Sequence, residues 1–159
     1  MAALKLTQRG GLVALALLCL VSVGAALVSQ HVFDMLPCPW CILQRVIFLA
    51  IALMLLAAAF LPGRTLFVLA SVGFSLSGIA AALYQHFVAA KSQSCNLTLA
   101  DRIISGLGLD KALPPVFEVK AGCADAAVDL FHLPYEFWSL GLYVLLAVAA
   151  LALLGLRRR

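Results

Sequence analysis

Four stretches of the chain contain no charged residue, and they constrain its fold more than any other feature. With histidine counted as neutral, they cover residues 10–30, 46–63, 65–90 and 137–156, so each has 18 to 26 residues. A helix of about 20 apolar residues crosses the hydrocarbon core of a bilayer. Only 11% of the residues are charged and 65% are hydrophobic, which excludes an ordinary soluble domain.

We therefore predict an all-α membrane protein, a single domain over residues 1–159 built as a four-transmembrane-helix bundle. The predicted spans lie at about residues 10–30, 44–62, 66–88 and 137–156, with outer loops at about 31–43 and 89–136. The first apolar run is too long for the core of a cleaved signal peptide, so we predict that it stays as a helix.

The basic residues predict the orientation of the bundle. With four spans, one side of the membrane receives Lys5, Arg9, Arg64 and the terminal Arg157, Arg158 and Arg159. Short loops rich in Lys and Arg stay in the cytoplasm, so we expect both termini there. The net charge of +4 is then a signal of topology and not of nucleic-acid binding.

A CxxC pair lies where the second span begins, in the stretch Cys38-Pro39-Trp40-Cys41-Ile42-Leu43-Gln44-Arg45. If Cys41 is in the first turn of a helix, Arg45 follows one turn later on the same face. Free backbone N–H groups and a nearby cation both favour the thiolate, which is the form of cysteine that attacks disulfides. The motif therefore indicates redox chemistry at a membrane boundary.

The second outer loop has features of a surface-bound segment. Apolar residues recur at helical spacing among polar ones, which predicts a short amphipathic helix lying on the membrane, limited in length by Gly106 and Gly108 and ended by Pro114-Pro115. They are Leu97, Ile103, Ile104, Leu107 and Leu109. At the outer end of span 3, Tyr84 and His86 fit an aromatic belt, and they also fit the lining of a ligand site beside Arg45.

Four of the five cysteines share the outer side, and three interpretations of them stay open. They are Cys38, Cys41, Cys95 and Cys123, whereas Cys19 lies inside span 1 and has a structural role. Two loop disulfides could stiffen a membrane scaffold, or four thiolates could bind zinc, or two disulfides could exchange electrons. A disulfide across the two-residue gap of the CxxC would stabilise the fold little, because it closes a very short loop. The wide spacing between Cys95 and Cys123 is unusual for a zinc site. We favour the redox interpretation, with the local pairs Cys38 with Cys41 and Cys95 with Cys123 as the simplest arrangement.

Electrons released by dithiol oxidation need an acceptor. The sequence contains no nucleotide-binding loop, haem-attachment motif or iron–sulfur ligand set. A quinone dissolved in the membrane needs no such motif. We predict that it lies beside Cys41, with one carbonyl near Arg45, whose charge stabilises the negative charge that develops on the ring oxygen.

These residues resemble the DsbB family of quinone:disulfide oxidoreductases of the bacterial inner membrane. The resemblance covers the CxxC with its Gln44-Arg45 continuation, the order of the spans, the loop with Cys95 and Cys123, and the segment from Cys123-Ala124 to Phe137-Trp138-Ser139-Leu140. It implies a four-helix bundle that reoxidises a periplasmic thiol oxidase of the DsbA type and reduces ubiquinone or menaquinone. A quinone reductase similar to vitamin K epoxide reductase is the alternative enzyme.

The resemblance also implies roles for individual residues. Cys95 would form the mixed disulfide with the partner, Cys123 would exchange with Cys38, and Cys41 would face the quinone. As candidate quinone contacts we take Arg45, Gln44, Tyr84 and His86. Neither a metal nor a nucleic acid is expected; the expected surroundings are membrane lipid.

Overall fold

The computed structural model describes residues 2–91, 98–126 and 128–155, with side chains described from Gln8 onwards. Four helices in it are long and apolar enough to cross a membrane. They are α1 (Ala2–Val32), α2 (Pro39–Phe60), α3 (Arg64–Phe87) and α7 (Tyr135–Gly155). The predicted class, a four-helix membrane bundle, is confirmed.

Helix α2 is the most enclosed of the four. It packs between α1 and α3, and α3 packs in turn against α7. Its residues Ile51 and Leu55 are fully buried, as is Cys19 of α1. The other helices expose large apolar side chains such as Val21 and Val148, which suits a surface that faces lipid.

Helices α3 and α7 approach closely where Gly78 meets Tyr143. A Cβ atom placed on Gly78 would lie only 2.5–2.7 Å from ring atoms of Tyr143. The Tyr143 ring stacks on Phe48 of α2, with 4.3 Å between the ring centroids, and its hydroxyl donates a 2.9 Å hydrogen bond to the Gln44 carbonyl oxygen. A small residue at position 78 thus allows one aromatic side chain to join three helices.

The end of the bundle that carries Arg9 and Arg64, here called the basic end, is held by these two side chains. Arg9 donates to the Ala59 carbonyl oxygen at 2.8 Å, and Arg64 donates to the Ala58 carbonyl oxygen at 3.2 Å. Arg64 also donates to Gln8 Oε1 at 3.0 Å. The two arginines therefore satisfy carbonyl groups in the last turn of α2, which have no partner within the helix.

Several short elements form the opposite end, here called the cysteine end. They are a 3₁₀ turn (Ala89–Lys91), α4 (Leu99–Gly106), α5 (Leu109–Ala112), α6 (Pro114–Phe117), β1 (Asp129–Leu130) and β2 (Leu133–Pro134). The two strands pair antiparallel, with Leu130 opposite Leu133.

The predicted amphipathic helix is present as α4. Thr98 and Asp101 form a capping box at its start. Ala100 and Ile104 are buried, whereas Leu99 and Leu107 are exposed, so the apolar surface is divided between the protein and the outside. This division fits a helix that lies at the bilayer boundary.

The prediction that Pro114-Pro115 ends this helix is wrong. Helix α4 ends at Gly106, one of the two glycines predicted to limit its length, and the two prolines begin α6. Proline is tolerated in the first turn of a helix because the N–H group that it lacks would have no partner there.

Replacing Gly78 by alanine is expected to destabilise the bundle, because the new methyl group would overlap the Tyr143 ring. Overpacking of a core costs about 1–3 kcal/mol. Thermal or denaturant unfolding in detergent measures this loss. Gly73→Ala is the matched control in the same helix, since nothing lies within 4 Å of a Cβ at that position; an equal loss in both variants would contradict the assigned contact.

Candidate active site

The CxxC pair forms the start of α2. Cys38 is the N-cap residue, and its sulfur accepts a 3.2 Å hydrogen bond from the Cys41 backbone N–H. Pro39 occupies the first helical position, where proline fits best. Cys41 therefore lies in the first turn and Arg45 one turn later, as the spacing predicts.

The second outer loop is anchored to the first by backbone hydrogen bonds. The Pro37 carbonyl oxygen accepts from the Lys120 N–H at 3.0 Å and from the Ala121 N–H at 3.3 Å. Two residues further along the loop is Cys123, in a turn closed by a 3.0 Å bond from the Ala126 N–H to the Gly122 carbonyl oxygen. This docking brings residues that are distant in sequence to the start of α2.

Three sulfur atoms meet as a result. The Cys38 side chain is in hydrogen-bonding contact with both Cys123 and Cys41. Cys38 is fully buried, whereas Cys41 and Cys123 are half-buried. Its contacts with Cys123 and Cys41, together with burial, raise the pKa of Cys38, so that thiol keeps its proton. The hydrogen bond from Cys38 in turn lowers the pKa of Cys123, which makes Cys123 the better nucleophile of these two.

The guanidinium group of Arg45 is buried and holds three parts of the chain together. It donates to Gln30 Oε1 at 2.7 Å, to the Val116 carbonyl oxygen at 2.8 Å and to the Ala26 carbonyl oxygen at 3.3 Å. Within the described ranges it forms no ion pair with a carboxylate. A buried charge without a counter-charge is costly, so this cation favours negative charge in the neighbouring space.

Two glutamines connect α2 and α3 next to Cys41. Gln44 Nε2 donates to Gln85 Oε1 at 2.7 Å, and Gln85 Nε2 donates to the Cys41 sulfur at 3.4 Å. Both glutamines are buried. The chain of bonds fixes the orientation of the Gln85 amide, so an N–H group points at the sulfur and can stabilise negative charge on it.

A cavity of about 330 Å³ opens beside these groups. Its polar wall includes Cys41, Gln44, Arg45 and Gln85, and its apolar wall comes from α1 and α7. A cavity of this size, mostly apolar with a few polar groups at one side, is typical of a small-molecule site.

Comparison with known proteins agrees with this geometry. Residues 8–153 match the profile of the family described as "Disulfide bond formation protein DsbB". The chain belongs to the DsbB family. Two curated relatives, both called disulfide bond formation protein B 1, are each 37% identical to it. The protein of Pseudomonas syringae pv. syringae aligns over 93% of this chain and 90% of its own length, and that of Pseudomonas putida over 89% and 86%. The disulfide bond formation protein B of Herminiimonas arsenicoxydans is 31% identical over 89% of this chain.

The residues predicted for a DsbB site fall into separate groups in the structure. Cys38, Cys41 and Cys123 lie together, and Gln44 and Arg45 lie in the cavity wall beside Cys41. Cys95 lies outside the described residues.

Tyr84 and His86 occupy other places. The Tyr84 ring lies 4.6 Å from the Trp40 ring and lines a different groove, between α2, α3 and α4. His86 Nδ1 lies 2.7 Å from Glu136 Oε1. Neither residue lines the cavity beside Cys41, so the cavity gives their predicted contact with quinone no support.

Sequence reasoning missed three polar residues of this site. Gln30 accepts a hydrogen bond from Arg45, and Gln85 donates one to the Cys41 sulfur. Glu136 contributes to the cavity wall. A signal was present for each, because all three are polar residues at the end of an apolar span, where such side chains are usually functional. Their partners are on other helices and were not predictable from local pattern.

The contact between Cys38 and Cys123 predicts a pH dependence of thiol reactivity. Because the pKa of Cys123 is lowered, its thiolate is present at a lower pH than that of an ordinary cysteine. In the reduced protein, alkylation of Cys123 by iodoacetamide is expected to rise at a lower pH than alkylation of Cys38. Mass spectrometry of the labelled peptides measures both. In Cys38→Ala the rise for Cys123 should move to higher pH, and an unchanged profile would contradict the proposed donor.

Proposed function

We propose that this protein reoxidises a periplasmic thiol oxidase of the DsbA type and passes the electrons to a membrane quinone. The observation that carries the proposal is the position of Cys38, in contact with Cys41 on one side and Cys123 on the other. A relay needs one sulfur that can pair with either of two others, because disulfides exchange through direct attack of sulfur on sulfur.

In the proposed relay, the partner dithiol attacks a disulfide between Cys95 and Cys123. A mixed disulfide forms with Cys95, and Cys123 is released as a thiolate. The Cys123 thiolate then attacks the sulfur of Cys38 in a Cys38–Cys41 disulfide. The bond between Cys123 and Cys38 forms as the bond to Cys41 breaks, so Cys41 becomes the thiolate that faces the cavity. The lowered pKa of Cys123 supports this residue as the attacking group.

The residues around Cys41 fit a quinone. The apolar wall suits a ring in the membrane, and Arg45 and Gln44 lie in the polar wall, where they can interact with a ring oxygen. When bound, ubiquinone or menaquinone would accept the two electrons and two protons that dithiol oxidation releases. Arg45 holds a positive charge at that wall, and the Gln85 amide orients and stabilises the Cys41 sulfur.

The proposed location is the bacterial inner membrane, with both termini in the cytoplasm. Arg9 and Arg64 lie together at the basic end of the bundle, which supports that end as the cytoplasmic one. The cysteine end then faces the oxidising periplasm, where disulfides persist. A membrane scaffold stiffened by disulfides or an enzyme of the vitamin K epoxide reductase type is the alternative, and membership of the DsbB family does not favour either.

Turnover of the purified protein tests the proposal. With a reduced DsbA-type partner and a short-chain quinone, the protein should consume quinone in proportion to the partner disulfide that it forms. Cys41→Ser should abolish quinone consumption, and Cys19→Ser, outside the relay, should not. The absorbance of the quinone measures its consumption, and thiol titration of the partner measures the disulfide formed. Absence of turnover in the wild-type protein would favour a scaffold.

Arg45→Ala is expected to raise the KM for quinone by about tenfold and to raise the KM for the dithiol partner less, through the lost bond to the second loop. A hydrogen bond to a charged group contributes about 1.5–3 kcal/mol. Steady-state kinetics with each substrate varied in turn separates the two constants. Arg64→Ala, which removes a hydrogen-bonded arginine from the basic end, is the matched control. Equal changes in both KM values would contradict a role of Arg45 at the quinone.

A further inference from the structure

Glu136 is an unusual residue in this protein because it is a carboxylate buried in a membrane-spanning helix. It is the only acidic residue in the four described spans, and its exposed fraction is 6%. It lies in the first turn of α7 and contributes to the wall of the cavity that holds Cys41. Carboxylates inside a membrane are costly, and they commonly mark a route for ions or protons.

His86 connects this carboxylate to the outside. Its Nδ1 lies 2.7 Å from Glu136 Oε1, and 29% of the His86 side chain is exposed. The His86 ring makes T-shaped contacts with the Phe87 and Phe137 rings, at centroid distances of 4.9 and 4.8 Å. An imidazole, which can give up a proton at one ring nitrogen and take one at the other, thus stands between the outer surface and a buried acid.

We propose that Glu136 delivers a proton to the quinone oxygen and that His86 reloads Glu136 from the periplasmic side. The inference rests on the proposed function and adds a proton route to its electron route. In this arrangement Glu136 touches the reacting molecule, and His86 acts through Glu136.

The proton and electron balance is complete. Conversion of a dithiol to a disulfide releases two electrons and two protons, and conversion of a quinone to a quinol consumes the same number. The electrons arrive through Cys41, whereas the protons of the partner dithiol are released at the aqueous surface. In each transfer, protonated Glu136 gives its proton to the ring oxygen and becomes a carboxylate. The Nδ1 proton of His86 then moves to Glu136 as Nε2 takes one from water. Proton exchange with water returns the ring to its Nδ1–H form before the second transfer.

The alternative role for the pair is structural, since it links the ends of α3 and α7. Glu136→Gln separates the two roles, because an amide retains a hydrogen-bond partner for His86 but cannot carry the proton. His86→Gln does the same from the other side, and His86→Ala opens space for a small base.

We expect kcat for quinone reduction to fall by about 100-fold in Glu136→Gln and in His86→Ala, which is within the range for loss of a general acid. The dissociation constant for the short-chain quinone, measured by equilibrium binding without dithiol, should change less than twofold. Thiol exchange with the reduced partner in the absence of quinone should keep its wild-type rate. Imidazole in the buffer should restore kcat of His86→Ala and leave Glu136→Gln inactive.

Glu118→Gln is the matched control, because Glu118 forms an exposed pair with Lys120 and does not line the cavity. Its kcat should equal that of the wild type. Unchanged kcat in Glu136→Gln, or failure of imidazole to restore a folded His86→Ala that binds quinone, would overturn the proton route and leave the electron relay standing. Absence of quinone reduction in the wild type would instead overturn the proposed function itself.

Discussion

The buried guanidinium of Arg45 is the group on which the arrangement of the cysteine end depends. Its hydrogen bonds join α2 to the end of α1, through Gln30 and Ala26, and to the second loop, through Val116. An unsatisfied charge at this depth would cost several kcal/mol, so the acceptors and the cation must come together. The same contacts place the loop where its next segment can bond Pro37 and bring Cys123 to Cys38. One cation therefore organises both the sulfur contacts and the cavity.

Polar groups within the bundle are distributed unequally between its two ends. At the basic end, arginines satisfy the last carbonyls of α2. At the cysteine end, glutamines and a carboxylate surround one cavity and are bonded to each other or to the site residues. Polar side chains in lipid need partners, which concentrates them in networks. The network at the basic end satisfies the end of a helix. The network at the cysteine end encloses a cavity, where its polar groups can bind a small molecule.

The amphipathic helix shows how far local pattern can be trusted. Its apolar spacing correctly predicts a helix, because that spacing is a property of neighbouring residues. Gly106 ends the helix, as predicted, whereas Pro114-Pro115 begin α6 and do not end α4, because proline is found both after helices and in their first turn. Tyr84 and His86 share the end of α3, yet they face different neighbours, Trp40 and Glu136. A separation of two positions places Tyr84 and His86 on different faces of the helix. Which neighbour each face meets depends on how the helix packs in the bundle.

The sequence by itself determined the number of spans, the start of α2 at the CxxC pair and the position of Arg45 one turn later. These features depend on hydrophobic length, proline chemistry and helical periodicity, which act over a few residues. Only the tertiary structure decided that Cys38 is the sulfur shared by two neighbours and that Gln85 bonds Cys41. It also decided that Glu136 reaches the cavity with His86 behind it. Those contacts join residues far apart in the chain, and they form because buried polar groups must find partners on other helices.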